Sequence, residues 1–229
     1  MQRNIAVITA RGGSKRIPRK NIRDFMGRPM ISYAISSAKN SKIFEKILVS
    51  TDDKEIAEIA KSLGAWVPFL RSERNSDDHA TTSDVLQEVV GCLADRQYVF
   101  DNICCIYPCV PLLSSNVLSE SYKNFIDSGA DALTPVVKFS YPIQRALRID
   151  SKGELSFENP KFASARSQDL ESFYHDVGMF YWMRFDVFNK SSPKTVGYIM
   201  AESQVQDIDT EEDWKLAELK YKNLQKNEK

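Results

Sequence analysis

The chain has 229 residues, 42% of them hydrophobic, and its 31 basic and 31 acidic side chains leave a formal net charge of +0 at pH 7. That size fits one domain with a sizeable core, and the charge balance argues against bulk electrostatic binding of nucleic acid, which draws on a basic excess. There is no membrane-length apolar run and no apolar leader in residues 1–9, and Cys92, Cys104, Cys105 and Cys109 sit at no metal-binding spacing, so a cytoplasmic protein with reduced thiols and no membrane or nucleic-acid partner is expected.

The elements follow in order. Asn4-Ile-Ala-Val-Ile-Thr9 is a short β-branched run and reads as a buried strand. Residues 10–21 then form a basic loop. Gly12 and Gly13 can take φ > 0 and turn their N–H groups toward an anion. Arg11, Lys15, Arg16, Arg19 and Lys20 add positive charge with no carboxylate among them. Gly27-Arg28-Pro29 reads as a helix start, and residues 30–39 carry Ile31, Ala34, Ile35 and Ala38 on one face. Residues 46–50 read as a second strand. Thr51-Asp52-Asp53 opens a helix that Gly64 closes. Residues 66–70 read as a third strand, at an edge or short because of Pro68.

A polar loop over residues 71–82 leads to a helix marked by Val85, Leu86, Val89, Val90 and Leu93. A strand over 102–107, a helix over 115–128 capped by Gly129, and a strand over 132–137 complete an alternation that implies an α/β fold with a mostly parallel sheet. The rhythm breaks over residues 138–175. There a hairpin (146–150 and 154–157, turning at Gly153) sits in irregular chain, as expected of a functional or interface arm. Strands over 176–182 and 196–200 follow, then a helix from Thr210. One domain over residues 1–229 is expected, with 138–175 as an inserted arm.

The strand-to-loop junction is where open α/β sheets bind ligands. The loop is not a P-loop, since no Gly-Lys-Thr/Ser opens a helix, and it lacks the third glycine of the dinucleotide fingerprint. Read alone, it is either an anion site or a solvated basic loop. At the other end of the chain, residues 202–213 hold six acids and no base. In an extended segment Asp207 and Asp209 share a side and can hold one Mg²⁺ with phosphate oxygens and water. Asp209 can equally cap the helix that follows.

The loop resembles the nucleotide-binding signature of the CMP-sialic acid synthetase family, Ala-Arg-x-x-Ser-Lys-x-x-x-x-Lys-Asn, and meets every fixed position from Ala10 to Asn21. Residues 207–211 match that family's Asp-Ile-Asp-Thr-Glu. The resemblance implies a three-layer, Rossmann-like nucleotide-diphospho-sugar transferase fold. It also implies attack of a sugar anomeric hydroxyl on the α-phosphate of CTP, with pyrophosphate leaving. It places Ala10, Arg11, Gly12, Gly13, Ser14, Lys15, Lys20 and Asn21 at the nucleotide, with Arg11 and Lys15 meeting the departing charge. Arg71 would face cytosine, Ala80 and Thr82 base or ribose, and Asp207 and Asp209 Mg²⁺. Without the resemblance, Arg71 is a surface arginine in a polar loop.

Two departures bear on the acceptor. Tyr107-Pro-Cys-Val-Pro111 stands where sialic acid enzymes carry Gln-Pro-Thr-Ser-Pro, and His175-Asp-Val-Gly178 stands where they carry Arg-x-Asn-Gly. Residues 140–146, 166–171, 174–176, 180–182 and 204–210 are instead similar to those of pseudaminic acid cytidylyltransferases. That resemblance implies a nine-carbon keto-acid sugar as acceptor, with sialic and legionaminic acids as alternatives. A non-catalytic nucleotide-binding domain is the other alternative, and the presence of Lys15, Asp207 and Asp209 weighs against it. Tyr107, Gln144, Arg145, Arg166, Gln168, His175 and Asp176 would face the sugar. Arg166 or Arg145 would meet its carboxylate, and His175 is a candidate base. The arm would make a homodimer and reach over the partner's site. The product would serve glycosylation of flagellin or surface polysaccharide.

Overall fold

A computed structural model describes residues 2–227. Its centre is a seven-stranded mixed sheet built on β1 (Asn4–Thr9). On one side β1 pairs in parallel with β4 (Lys46–Ser50), and on the other with β5 (Asn102–Ile106). Beyond β5 lies β10 (Phe180–Arg184), which runs antiparallel to both β5 and β6 (Ala132–Lys138). The edge strand β11 (Thr195–Met200) is parallel to β6. β9 (Tyr174–Asp176) pairs antiparallel with the far end of β6. The expected parallel sheet is thus crossed by one reversed path.

Both faces of β1 are buried, which is why its sequence is continuously apolar. Ala6 and Ile8 pack with α1 (Ile31–Ser41), α2 (Lys54–Ser62) and α4 (Ser115–Ser128). Ile5 and Val7 face the other way and pack with Leu86, Val89 and Leu93 of α3 (Thr82–Ala94). The result is three layers, helix–sheet–helix. A third, smaller core decides the site. Ile17 of the basic loop and Ile208, between the two aspartates, meet Phe25, Met30, Tyr33 and the start of α5 (Glu211–Asn227) through Trp214 and Ala217. Ile17 and Ile208 are each 1% exposed. Two segments far apart in the chain are clamped together by apolar burial worth about 1.5–3 kcal/mol per side chain.

Several boundaries differ from expectation. Gly27-Arg28-Pro29 starts no helix. Asp24–Phe25 (β2) and Arg28–Pro29 (β3) form a tight hairpin, turning through Met26 and Gly27 at φ of 52° and 87°. Positive φ at both turn residues matches the right-handed twist of a two-residue hairpin. Trp66 makes only a single bridge, to Leu48, and Pro68 has no N–H with which to extend it. The strand expected over 176–182 is divided into β9 and β10 at Gly178, whose φ of 62° breaks the ladder. The arm hairpin is present as β7 (Leu147–Ile149) and β8 (Leu155–Phe157). It leaves Leu147, Ile149 and Leu155 exposed. Among the described residues no helix is long and apolar enough to cross a membrane.

Candidate active site

A cleft of about 380 Å³ opens at the carboxyl ends of β1 and β5. Thr9 and Tyr107 line it, together with Arg11, Ser14, Lys15, Arg16, Lys20 and Asn21 of the basic loop, Arg71, Ala80 and Thr82 of the polar loop and the next helix, and Asp207 and Asp209. Most of the residues expected at a nucleotide are therefore brought to one cavity. Ala10, Gly12 and Gly13 are not among its lining residues. Ala10 is fully buried beneath the loop.

The glycines play a different part from the one expected. Neither has positive φ; the left-handed residue of this loop is Arg19, at 56°. The Gly12 N–H donates to Asp52 Oδ1 at 2.9 Å, so it offers nothing to an anion. A Cβ on Gly12 would stand 2.8 Å from Asp53 Oδ2. Gly12 is there to let Asp53, the N-cap of α2, press against the loop while Arg19 pairs with the same carboxylate.

The cationic side chains of the loop are paired with carboxylates from elsewhere in the chain. Arg11 Nη1 lies 2.8 Å from Asp78 Oδ1, and Lys15 Nζ pairs with the other oxygen of Asp78. Arg16 and Lys20 lie 2.8 and 3.5 Å from the two oxygens of Asp209. Lys20 also donates to the Ile208 carbonyl at 2.6 Å. Asn21 is buried and fixed at both ends of its amide. Its Nδ2 donates to the Arg11 carbonyl at 2.8 Å, and Cys109 Sγ donates to its Oδ1 at 3.2 Å. Burial pushes the Cys109 thiol up to about 12, so it stays protonated as that donor.

Arg71 is no surface arginine. It is 7% exposed, and its Nε and Nη2 donate to Ser50 Oγ and the Ser50 carbonyl at 3.0 and 2.6 Å. Burial lowers its pKa, with Asp52 and Glu88 opposing the effect. Thr82 and Tyr107 share a hydroxyl–hydroxyl bond of 2.9 Å.

The helix cap before α5 is Thr210, whose Oγ1 accepts the Asp213 N–H at 3.2 Å while Asp213 Oδ2 accepts from Thr210. Asp209 is thereby free of capping, and the buried Ile208 turns Asp207 and Asp209 to the same side. Burial first, then the neighbouring Asp209, raise the Asp207 pKa. Two carboxylates forced together in a half-buried place suit a cation. Among the described residues no three His, Cys, Asp or Glu side chains form a protein-only metal cage. Two carboxylates are as many as a hard divalent cation needs when phosphate oxygens and water complete its shell.

A second cavity of about 490 Å³ adjoins the first and shares Gly178 and Asp207 with it. His175, Asp176, Lys138, Ser140 and Lys220 line it. Asp176 accepts from the Gly178 N–H at 2.7 Å and from the Tyr181 hydroxyl at 2.9 Å. His175 Nδ1 lies 2.9 Å from the Asp176 carbonyl. Gln144, Arg145, Arg166 and Gln168 line neither cavity. They lie in the arm, where Gln144 donates to the Glu171 carbonyl at 2.8 Å and Arg166 pairs with Asp169 at 2.7 Å. Sequence reasoning missed Cys109, Lys138 and Lys220 as residues of the two cavities, and Asp78 as the partner of Arg11 and Lys15. Only Cys109 carried a local signal, as part of the departure at residues 107–111.

The comparisons with known proteins bear on the family and the fold. Residues 5–196 match the Cytidylyltransferase family. A Campylobacter jejuni protein named pseudaminic acid cytidylyltransferase is 40% identical over 226 residues, 96% of this chain and 97% of that protein. A Legionella pneumophila protein named CMP-N,N'-diacetyllegionaminic acid synthase is 34% identical over 94% of this chain and 95% of its own length. In fold, the chain is similar to a CMP:2-keto-3-deoxy-manno-octonic acid synthetase solved with CTP, at a TM-score of 0.67 and 18% identity, covering 98% of this chain and 99% of that one. With its family match spanning most of the sequence and these two relatives aligned over more than nine-tenths of both chains, the chain belongs to the cytidylyltransferase family.

Proposed function

We propose that this cytidylyltransferase joins CMP from CTP to the anomeric hydroxyl of pseudaminic acid and releases pyrophosphate, with one Mg²⁺ held by Asp207 and Asp209. The observation that carries the reading is the position of Asp207, which lines both cavities at once, where an α-phosphate and an acceptor hydroxyl would meet. The first cavity takes CTP, with Arg71 toward the base and the basic loop along the phosphates. Arg11 and Lys15 neutralise the charge that grows on the leaving pyrophosphate, and positioning supplies most of the remaining rate. Mg²⁺, when bound, lowers the negative charge that the hydroxyl must approach. If the Nδ1–H of His175 donates to the Asp176 carbonyl, Nε2 is left as the ring atom able to accept the hydroxyl proton.

The Campylobacter relative supports pseudaminic acid as acceptor, as do the departures at Tyr107 and His175. The Legionella relative makes legionaminic acid the second reading. Gln144, Arg145, Arg166 and Gln168 stand away from their own chain's cavities, on an arm with exposed Leu147, Ile149 and Leu155. This favours a homodimer in which the arm completes the partner's acceptor site. Use of CTP supports a cytoplasmic location. The test is pyrophosphate release from CTP and Mg²⁺ with pseudaminic, legionaminic and N-acetylneuraminic acids in parallel. Release with pseudaminic acid alone is expected. Release with another acid would overturn the acceptor, and release with none would overturn the reaction.

A further inference from the structure

Arg11 and Lys15 are not idle cations awaiting a ligand. Arg11 Nη1 donates to Asp78 Oδ1 at 2.8 Å and to the Asp77 carbonyl at 2.9 Å, and Lys15 holds Asp78 Oδ2. One carboxylate is therefore gripped at both oxygens by two side chains of the basic loop. Its own loop is built to present it. Asp77 Oδ1 accepts the N–H groups of His79 and Ala80 at 2.9 and 2.8 Å. Farther back, Glu88 accepts from the Ser72 N–H and hydroxyl at 2.8 and 2.7 Å and from Asn75. Asp78 stands two residues before Ala80, which lines the nucleotide cavity. Lys15 first, then Arg11, hold the Asp78 carboxyl below the usual carboxylate range, so it is charged whenever the enzyme works.

A triphosphate brings its oxygens to these same two cations. It must share them with Asp78 or displace it, and either way the carboxylate stands close to the phosphates and repels them. We propose that Asp78 is a latch that competes with the phosphates of CTP and with pyrophosphate for Arg11 and Lys15, weakening the binding of both and hastening release of pyrophosphate after transfer. The proposal rests on the reading of this cavity as the CTP site. Exposed ion pairs of this kind are each worth up to a factor of about five. Two of them, with the added repulsion, set the latch at about three- to thirty-fold in affinity.

The test uses Asp78→Asn, which keeps the shape of the side chain and removes its charge, with Asp78→Glu as the variant that retains the charge. Calorimetry with CTP, pyrophosphate and cytidine, each with Mg²⁺, is compared with product inhibition by pyrophosphate. Asp78→Asn is expected to bind CTP and pyrophosphate about three- to thirty-fold more tightly, with the gain shrinking as salt rises. Cytidine, which has no phosphate, should bind as it does to the wild type. Asp78→Glu should stay within about twofold of the wild type. Unchanged or weaker CTP and pyrophosphate binding by Asp78→Asn overturns the latch, and weaker binding with a lost Mg²⁺ response would make Asp78 a metal ligand instead. Failure of the wild type to bind CTP or pyrophosphate overturns the underlying site, a result distinct from failure of the latch alone.

Discussion

Ile208 ties the stability of the fold to the chemistry of the site, and Ile208→Ala tests that tie. The side chain is 1% exposed, in a core with Ile17, Phe25, Met30, Tyr33 and Trp214. Truncation removes three carbons from a place where the aromatic rings leave little freedom to collapse: Phe25 meets Tyr33 and Trp214 edge-on at centroid distances of 5.4 Å. Such a change costs about 2–5 kcal/mol. For a chain of this length it should lower Tm by about 5–15 °C. The same side chain turns Asp207 and Asp209 to one side, so the Mg²⁺ concentration giving half-maximal pyrophosphate release should rise several-fold below the melting range. Thermal unfolding and a Mg²⁺ titration of activity check both effects. A fall in Tm of less than about 2 °C would refute the burial argument. A full fall with unchanged Mg²⁺ dependence would show that Ile208 does not orient the pair.

Lys15 is 78% exposed, so Lys15→Ala should leave Tm within about 2 °C and lower kcat/KM about 10²–10³-fold, read by pyrophosphate release. Asp207→Asn has a pH signature. The raised pKa of Asp207 means that the folded state keeps this proton to higher pH than the unfolded chain. The cost of the carboxylate is absent below the ordinary value of 3.8 and sets in as pH rises through the folded value. Asp207→Asn should therefore be more stable than the wild type at about pH 7, by thermal unfolding, with the gain shrinking toward about pH 4. Mixing inactive Arg166→Ala with inactive Lys15→Ala should restore up to about a quarter of wild-type activity if each arm serves its partner, and none if it serves its own chain.

The sequence carried the parts of the site that lie close together in the chain. Arg11, Lys15, Arg16 and Lys20 and the Asp207–Asp209 pair were legible because spacing within a loop or strand decides which side chains converge, whereas Arg19 turns to Asp53 and Glu55 instead. The alternation of β-branched runs with helical stripes gave the three layers. What failed depended on distant partners. Gly12 looked like an anion nest, but Asp52 takes its N–H and Asp53 fills the space beside it, and both come from the next βα turn. Residues 66–70, expected as an edge or short strand because of Pro68, shrink to the single bridge of Trp66. The segment 27–29 misread because a two-residue hairpin and a helix start share Gly and Pro signals. Asp78 was invisible, since nothing in residues 71–82 tells which cations it will meet.

The most direct measurement follows both ends of CTP. The enzyme is incubated with Mg²⁺, pseudaminic acid and CTP labelled at the α-phosphate or, in parallel, at the γ-phosphate. The account predicts that the α-label passes to a CMP-sugar of the mass of CMP-pseudaminic acid while the γ-label leaves wholly as pyrophosphate, and that neither occurs without the sugar. α-Label appearing as free CMP without the sugar, or γ-label released as orthophosphate, would contradict transfer to an acceptor and with it the account of the two joined cavities.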